Sequence, residues 1–244
     1  MLNLKVAVLD TDFYALQAIT SYLALDRRTR VVLTAETRAN FLKMLQDSAD
    51  AALPDVILLD ADHAGDASGL AALIRELQAV APRAMIICLA QRADTGLLET
   101  AYQTGARGYF LKGDVRHQIS WAIIFALEHR FVVSRSVRQL AAWLQDRVTV
   151  LPAPRNYPEL TERIRQAIRL CVLEGMPAQL AADEMGISPH TVRSYIKEGY
   201  RILESYNDLE FPMDMTPQER AFYRFTVPEG WRGSIVSRSM APAV

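Results

Sequence analysis

Three side chains suited to reading nucleic acid, Arg193, Ser194 and Lys197, fall together after the stretch Gly186-Ile-Ser188-Pro189. Arginine can pair bidentately with guanine, a serine hydroxyl can donate or accept, and lysine reaches guanine or a phosphate. Ser188, His190, Thr191 and Tyr195 surround them and suit phosphate contacts, because a helix N-terminus favours anions. A second group is assembled from distant positions. Asp10, Asp60 and Lys112 each end a short apolar run, and the run Ala84–Ala90 ends in a residue with no polar group. Two carboxylates and an ammonium at one surface can accept a phosphoryl group. One carboxylate is the nucleophile, the other holds Mg²⁺, and the ammonium neutralises phosphate oxygens. The plainer alternative is polar strand ends joined in an internal salt bridge.

The elements that must position these groups can be read from periodicity. Lys5–Asp10, Val31–Glu36, Asp55–Asp60, Ala84–Ala90 and Gly108–Lys112 are strand-length runs rich in Val, Ile or Leu, as for strands buried on both faces. Helical segments separate them; Leu16, Ile19 and Leu23 form the first such stripe. Five such repeats predict a doubly wound, five-stranded parallel sheet with its functional crevice at the carboxyl ends of the strands. This domain should occupy residues 1–130. Ser134–Gln145 reads as a further helix and Val148–Pro158 as a stiff linker, since three prolines in seven residues suit no helix interior; together 131–157 form the connection. An all-α domain follows over 158–207. There Ala182 is small where two helices meet, Gly186 stops the first helix in a left-handed cap, and Ser188 and Pro189 start the second. Val192, Ile196, Tyr200 and Leu203 face inward. Residues 208–244 form a C-terminal extension with one short helix beginning at Thr216-Pro217, Glu219 completing a capping box. Its aromatics Phe211, Phe222, Tyr223, Phe225 and Trp231 are too many for a solvating tail, so residues 207–225 are expected to pack against a folded domain or across a dimer.

Composition narrows the classes. The chain has 244 residues, 50% of them hydrophobic, and a formal net charge of -1, so any nucleic-acid site must be a local patch. Cys88 and Cys171 lie in apolar runs, with neither disulfide nor metal-ligand spacing. The N-terminus turns acidic too soon for a signal peptide, and the most apolar stretch, Ile119–Leu127, is too short to span a bilayer. A soluble cytoplasmic protein that makes no membrane contact is expected.

From Leu160-Thr-Glu-Arg163 through Glu174-Gly175, Leu180-Ala181, Met185-Gly-Ile-Ser188 and Thr191-Val192 to Leu203, the second domain resembles the LuxR-type (NarL/FixJ) helix-turn-helix. The resemblance implies base contacts from Arg193, Ser194 and Lys197, double-stranded DNA as partner, and a homodimer. One feature departs: residues 158–207 carry six Lys/Arg against seven Asp/Glu, so a single copy should bind weakly. A weaker resemblance, to the promoter-reading module of sigma factors, covers the same helix pair.

Val8-Leu9-Asp10, Pro54-Asp-Val-Ile-Leu-Leu-Asp60, Gly69-Leu70 and Gly105-Ala-Arg-Gly-Tyr-Phe-Leu-Lys112 resemble the receiver domain of two-component response regulators. By that resemblance the strand order is 2-1-3-4-5, Asp60 is the phosphoacceptor, Lys112 its partner, and Tyr109 an aromatic that moves on activation. Three parts differ. Thr11 stands where a second acid is usual, with Asp12 next; Ala90 replaces a hydroxyl; His63-Ala64 replaces a Met-Pro turn. Asp62 offers a spare carboxylate, but nothing replaces the lost hydroxyl. The expectation is an atypical receiver controlled independently of phosphorylation, in which Lys112 pairs with Asp60. No cofactor is required, and Mg²⁺ would rest on Asp10 and Asp60 alone. His63 beside Asp60 and Asp62 reads as a loop histidine rather than a ligand. The function expected is a DNA-binding transcription regulator, not an enzyme. Two alternatives stand: a conventional regulator phosphorylated on Asp60 by a sensor kinase, and an adaptor docking on RNA polymerase or another regulatory protein.

Overall fold

A computed structural model describes residues 2–231 together with 233 and 234. Two compact units divide the chain between Ala153 and Pro154.

The first unit is a seven-stranded sheet. Its strands are β1 (Leu4–Leu9), β2 (Thr29–Ala35), β3 (Val56–Asp60), β4 (Met85–Ala90), β5 (Gly108–Leu111), β6 (Val132–Val133) and β7 (Thr149–Val150). They lie in the order β2-β1-β3-β4-β5-β6-β7, and every pairing is parallel. The expected order 2-1-3-4-5 is present, extended by two strands. β3 is buried throughout and β4 almost so, as continuous apolar runs require, whereas edge strand β2 alternates buried and exposed positions. Helices α1 (Phe13–Ala24), α2 (Arg38–Gln46), α3 (Ala67–Val80), α4 (Thr95–Gln103), the single turn α5 (Lys112–Val115) and α6 (Ile119–Glu128) form the crossovers and the cover. The predicted stripe Leu16, Ile19 and Leu23 is the buried face of α1. No helix among the described residues is long and apolar enough to cross a membrane.

The reading of 131–157 as a connection is corrected. Residues 131–153 belong to the sheet unit, and the expected helix over 134–145 is replaced by 3₁₀ turns at Arg135–Val137 and Ala142–Arg147. Val132 and Val133 are fully buried because they add a strand to β5. Gly108 makes that approach possible: a Cβ there would lie 3.1 Å from the Val132 carbonyl oxygen. Tyr102 closes the packing, edge-on to both Phe131 and Trp143. Two of the prolines lie one on each side of the division, with Leu151 buried in the first unit and Tyr157 in the second.

The second unit contains α7 (Glu162–Ile168), which runs into a π-helical turn at Arg169–Leu173, then α8 (Ala178–Met185), α9 (Pro189–Glu204), β8 (Leu209–Glu210), α10 (Pro217–Thr226) and β9 (Gly233–Ser234). The predicted start of α10 is present in full: Thr216 caps it, Pro217 is first, and Glu219 closes the capping box. Treating 208–244 as an extension beyond the domain is also corrected, for residues 208–231. Asp208 accepts hydrogen bonds from Arg155 and Arg224, and the Tyr157 hydroxyl donates to the Arg224 carbonyl at 2.8 Å. The Arg155 amide bonds the Val227 carbonyl at 2.8 Å. The entry segment and the last helix are thus tied into one core. Residues 232 and 235–244 of the expected extension lie outside the described residues.

The inward face of α9 differs in detail from its predicted stripe. Val192 and Leu203 are buried, Ile196 and Tyr200 only half-buried, and Gly199 and Ile202 complete the buried set. At Gly199 a Cβ would come within 2.8 Å of Ile168 Cδ1 and 2.9 Å of its Cγ1. The glycine lets α9 cross α7 closely. Gly199→Val should therefore cost about 1–3 kcal/mol through overpacking, seen as a lower denaturant midpoint with an unchanged slope; an unchanged midpoint would show that the crossing is slack.

Candidate functional site

The helix pair is built by local signals. α8 ends at Gly186, whose φ of 65° and ψ of 37° place it in the left-handed region. The Ile187 amide then bonds the Ala182 carbonyl at 3.0 Å, closing the turn. Ala182 is fully buried and packs in one cluster with Ala167, Leu170, Met185 and Val192. Ser188 caps α9, its Oγ accepting from the Thr191 amide at 3.1 Å and lying 2.8 Å from Thr191 Oγ1. That hydroxyl is committed first to the cap, a role the sequence also predicts, and only its spare capacity is free for a phosphate.

With Val192 turned inward, Arg193, Ser194 and Lys197 are all exposed. None of the three makes a side-chain hydrogen bond or ion pair among the described residues. His190 is exposed beside them, while Thr191 and Tyr195 are half-buried, the Tyr195 ring packing on the helix-pair core. Arg201, one turn further on, is occupied by Glu198 at 2.5 Å. The outward face thus offers two free cations and a hydroxyl within one helical turn.

The second constellation lies at the carboxyl ends of β1, β3 and β5. Asp10 and Asp60 are 0% and 4% exposed, and Lys112 Nζ sits between them, 2.7 Å from Asp10 Oδ2 and 3.3 Å from Asp60 Oδ1. The expected Lys112–Asp60 pair is present, but the nearer partner is Asp10. Those two oxygens are sealed from solvent, with the ammonium as their compensation. Burial pushes the Asp60 carboxyl up from its usual range, Asp10's charge adds to this, and Lys112 opposes it. Burial pulls the Lys112 ammonium down, but its bonds to Asp10 and the charges of both carboxylates outweigh that and raise it.

The flanking residues are placed differently from a metal-binding set. Asp12 caps α1, accepting from the Tyr14 and Ala15 amides, so it is spent on backbone. Thr11 Oγ1 donates to Asp60 Oδ2 at 3.4 Å, and Asp62 accepts from the Gln91 amide at 2.6 Å. Ala90 is buried and offers no hydroxyl. Tyr109 is fully buried, its hydroxyl donating to the Arg92 carbonyl at 3.4 Å, and burial raises its pKa. His63 is half-buried and joins no group of three or more potential metal ligands; no such group occurs among the described residues. In this arrangement Asp10 and Asp60 face the Lys112 ammonium, and Asp12 and Asp62 accept hydrogen bonds from backbone amides.

Two positioning features were not read from the sequence. Gly199 could have been noticed as a glycine seven residues beyond Val192 on the buried face of α9. Ser134 and Ser136, which bond the turn carrying Lys112, have no local signature.

The family model for Sigma-70, region 4, matches residues 158–203. It covers the same helix pair as the resemblance that ranked second in the sequence. Among curated proteins, the probable transcriptional regulatory protein NarL of Mycobacterium tuberculosis is 28% identical over 204 residues, 82% of this chain and 88% of that protein. The response regulator UvrY of Escherichia coli is 27% identical over 156 residues, 64% of this chain and 69% of that protein. Among solved structures, the RcsB response regulator of Salmonella typhimurium shares the fold with a TM-score of 0.50 at 20% identity, covering 85% of this chain and 95% of that one. With a sheet whose strand ends gather Asp10, Asp60 and Lys112, followed by a capped helix pair, the chain is similar across both units to response regulators of the LuxR (NarL/FixJ) type.

Proposed function

We propose that this protein is a DNA-binding transcription regulator whose α9 enters the major groove. Its sheet unit controls that binding without phosphorylation of Asp60. The observation that carries the reading is the outward face of α9, with Arg193, Ser194 and Lys197 exposed and unpaired in the first turns of a helix held by the Ser188 cap. Arg193 and Lys197 supply guanine or phosphate contacts, Ser194 a hydrogen bond of either sense, and the helix N-terminus with His190 and Thr191 the backbone contacts. The relatives' names, a transcriptional regulatory protein and response regulators, point the same way. The protein performs no catalysis of its own in this reading. With six basic against seven acidic residues over 158–207, one copy binds weakly, and a homodimer on two half-sites supplies the missing affinity. Titrating the full chain against genomic DNA fragments at two salt concentrations tests this. Selective, salt-sensitive binding is expected; the absence of any preferred fragment would refute it.

Control without phosphorylation is favoured by three features of the pocket: Asp12 spent on its cap, Ala90 without a hydroxyl, and Lys112 already bridging both carboxylates. The same three residues, Asp10, Asp60 and Lys112, keep the second reading in play, a conventional regulator phosphorylated on Asp60. Incubation with a small-molecule phosphodonor and Mg²⁺, followed by intact-mass measurement, separates the two. No stoichiometric adduct is expected; a full phosphate adduct lost in Asp60→Asn would establish the conventional reading.

A further inference from the structure

We infer that Ser134 and Ser136 are positioning residues for Lys112, and that the turn they form passes a change in the acidic pocket to the segment 131–151. The regulatory meaning rests on the sheet unit controlling DNA binding, as proposed above; the mechanics do not.

Lys112 opens α5, a helix of only four residues, and Leu111 before it gives no side-chain cap. One helical turn does not hold itself in water, because nucleation fixes several dihedrals for one hydrogen bond. The turn also ends under strain: Arg116 has φ 29°, the one positive φ at a non-glycine residue among those described. Something outside the turn must keep the ammonium in place, and the contacts of β6 supply it. Ser134 Oγ accepts from the Leu111 amide at 3.0 Å. Ser136 donates twice to Asp114, from its amide to Oδ2 at 3.0 Å and from its hydroxyl to Oδ1 at 2.9 Å. Residues on both sides of Lys112 are therefore pinned by a single turn, and Ser134 is only 1% exposed.

That turn is continuous with the strands that complete the sheet. The Ser134 amide bonds the Tyr109 carbonyl at 3.3 Å, and the Leu151 amide bonds the Val133 carbonyl at 2.9 Å. From Leu151 the chain runs through Pro152 and Ala153 to the start of the second unit at Pro154. The interior of the sheet offers no comparable route. Ala90 at the end of β4 has no polar group to follow a change at Asp60, and Tyr109 is buried with its hydroxyl turned to the Arg92 carbonyl. When the charge on Asp60 is removed, the ammonium is left to Asp10, α5 shifts, and Ser134 and Ser136 shift with it.

Two measurements on the full chain test this, and neither involves DNA, so their failure is distinct from failure of the DNA-reading proposal. The first is the acylation rate of Lys112 by an amine-reactive ester, read by peptide mass spectrometry against exposed Lys197. Ser136→Ala should raise the rate about fivefold, the effect of one typical hydrogen bond lost; Ser136→Thr, which keeps the hydroxyl, should stay at the wild-type rate. The second is amide hydrogen exchange. Asp60→Asn should speed exchange across 131–151 while β4 stays protected. Ser136 is exposed, so its replacement leaves the core intact, and protection of β1 and β3 verifies folding. Equal Lys112 acylation in Ser136→Ala and wild type, or unchanged exchange across 131–151 in Asp60→Asn, would overturn the inference.

Discussion

Arg193→Ala is expected to weaken binding to a selected DNA fragment by roughly 5- to 150-fold, about 1–3 kcal/mol, and to relax preference at one base pair. The size follows from what the side chain is free to do. Arg193 is exposed and makes no ion pair among the described residues, so binding breaks no existing partner, unlike Arg201 with Glu198. Lys197→Ala should act in another way. If its ammonium meets a phosphate, affinity falls for all sequences alike, and the slope of log affinity against log salt drops by about 1. Ser194→Ala should cost less than either, because a neutral hydrogen bond is the weaker contact. Titration of wild type and the three variants at two salt concentrations separates base reading from backbone attraction. Arg193→Ala that retains full selectivity would remove α9 as the reading element. Because residues 158–207 carry no excess of positive charge, these few groups carry more of the total than they would in a basic domain.

Lys112→Met is expected to destabilise the sheet unit by about 3–5 kcal/mol near neutral pH, since it leaves two buried carboxylates without their cation. Its side chain is 14% exposed, and those of Asp10 and Asp60 are 1% and 5%, so solvent screens the cluster little. The pH dependence has a definite sign. Burial and Asp10's charge raise the folded Asp60 carboxyl above its usual value of 3.8, so its ionisation opposes folding. The stability it permits is complete below that unfolded value and is lost as pH rises through the folded one. Lys112 works in the opposite sense: its ammonium is raised, so its contribution is intact at neutral pH and lost only in strong base. The Lys112→Met penalty should therefore shrink as pH falls, because the raised Asp60 carboxyl takes up its proton at a higher pH than an ordinary one. It should also be smaller in an Asp60→Asn background, and Asp60→Asn alone should raise the denaturant midpoint at neutral pH. Denaturant unfolding of the full chain at about pH 7 and about pH 5, in a double-mutant cycle, measures all three. A penalty equal at both pH values and in both backgrounds would show that Lys112 contributes packing rather than charge.

What could be read directly from the chain was what its neighbours in sequence decide. Gly186, Ser188 and Pro189 end one helix and begin the next through hydrogen bonds spanning three to five residues, and Thr216, Pro217 and Glu219 do the same for α10. The five buried strand runs were legible because parallel strands covered on both faces need unbroken apolar residues, and their ends placed Asp10, Asp60 and Lys112 on one edge. Tertiary structure decided the rest, where the deciding partner is remote. Val132-Val133 and Thr149-Val150 are too short to announce themselves as strands; they form because the β5 edge and Gly108 leave room for them. Asp12 and Asp10 look alike in sequence, yet one caps a helix at the surface while the other faces an ammonium in the interior. Asp208 joins Arg155 and Arg224 across 53 and 16 positions, making the supposed extension part of its domain. Caps and periodicity are settled by local hydrogen bonds and apolar spacing, whereas strand addition, charge pairing and close helix crossing depend on which surfaces the folded chain brings together.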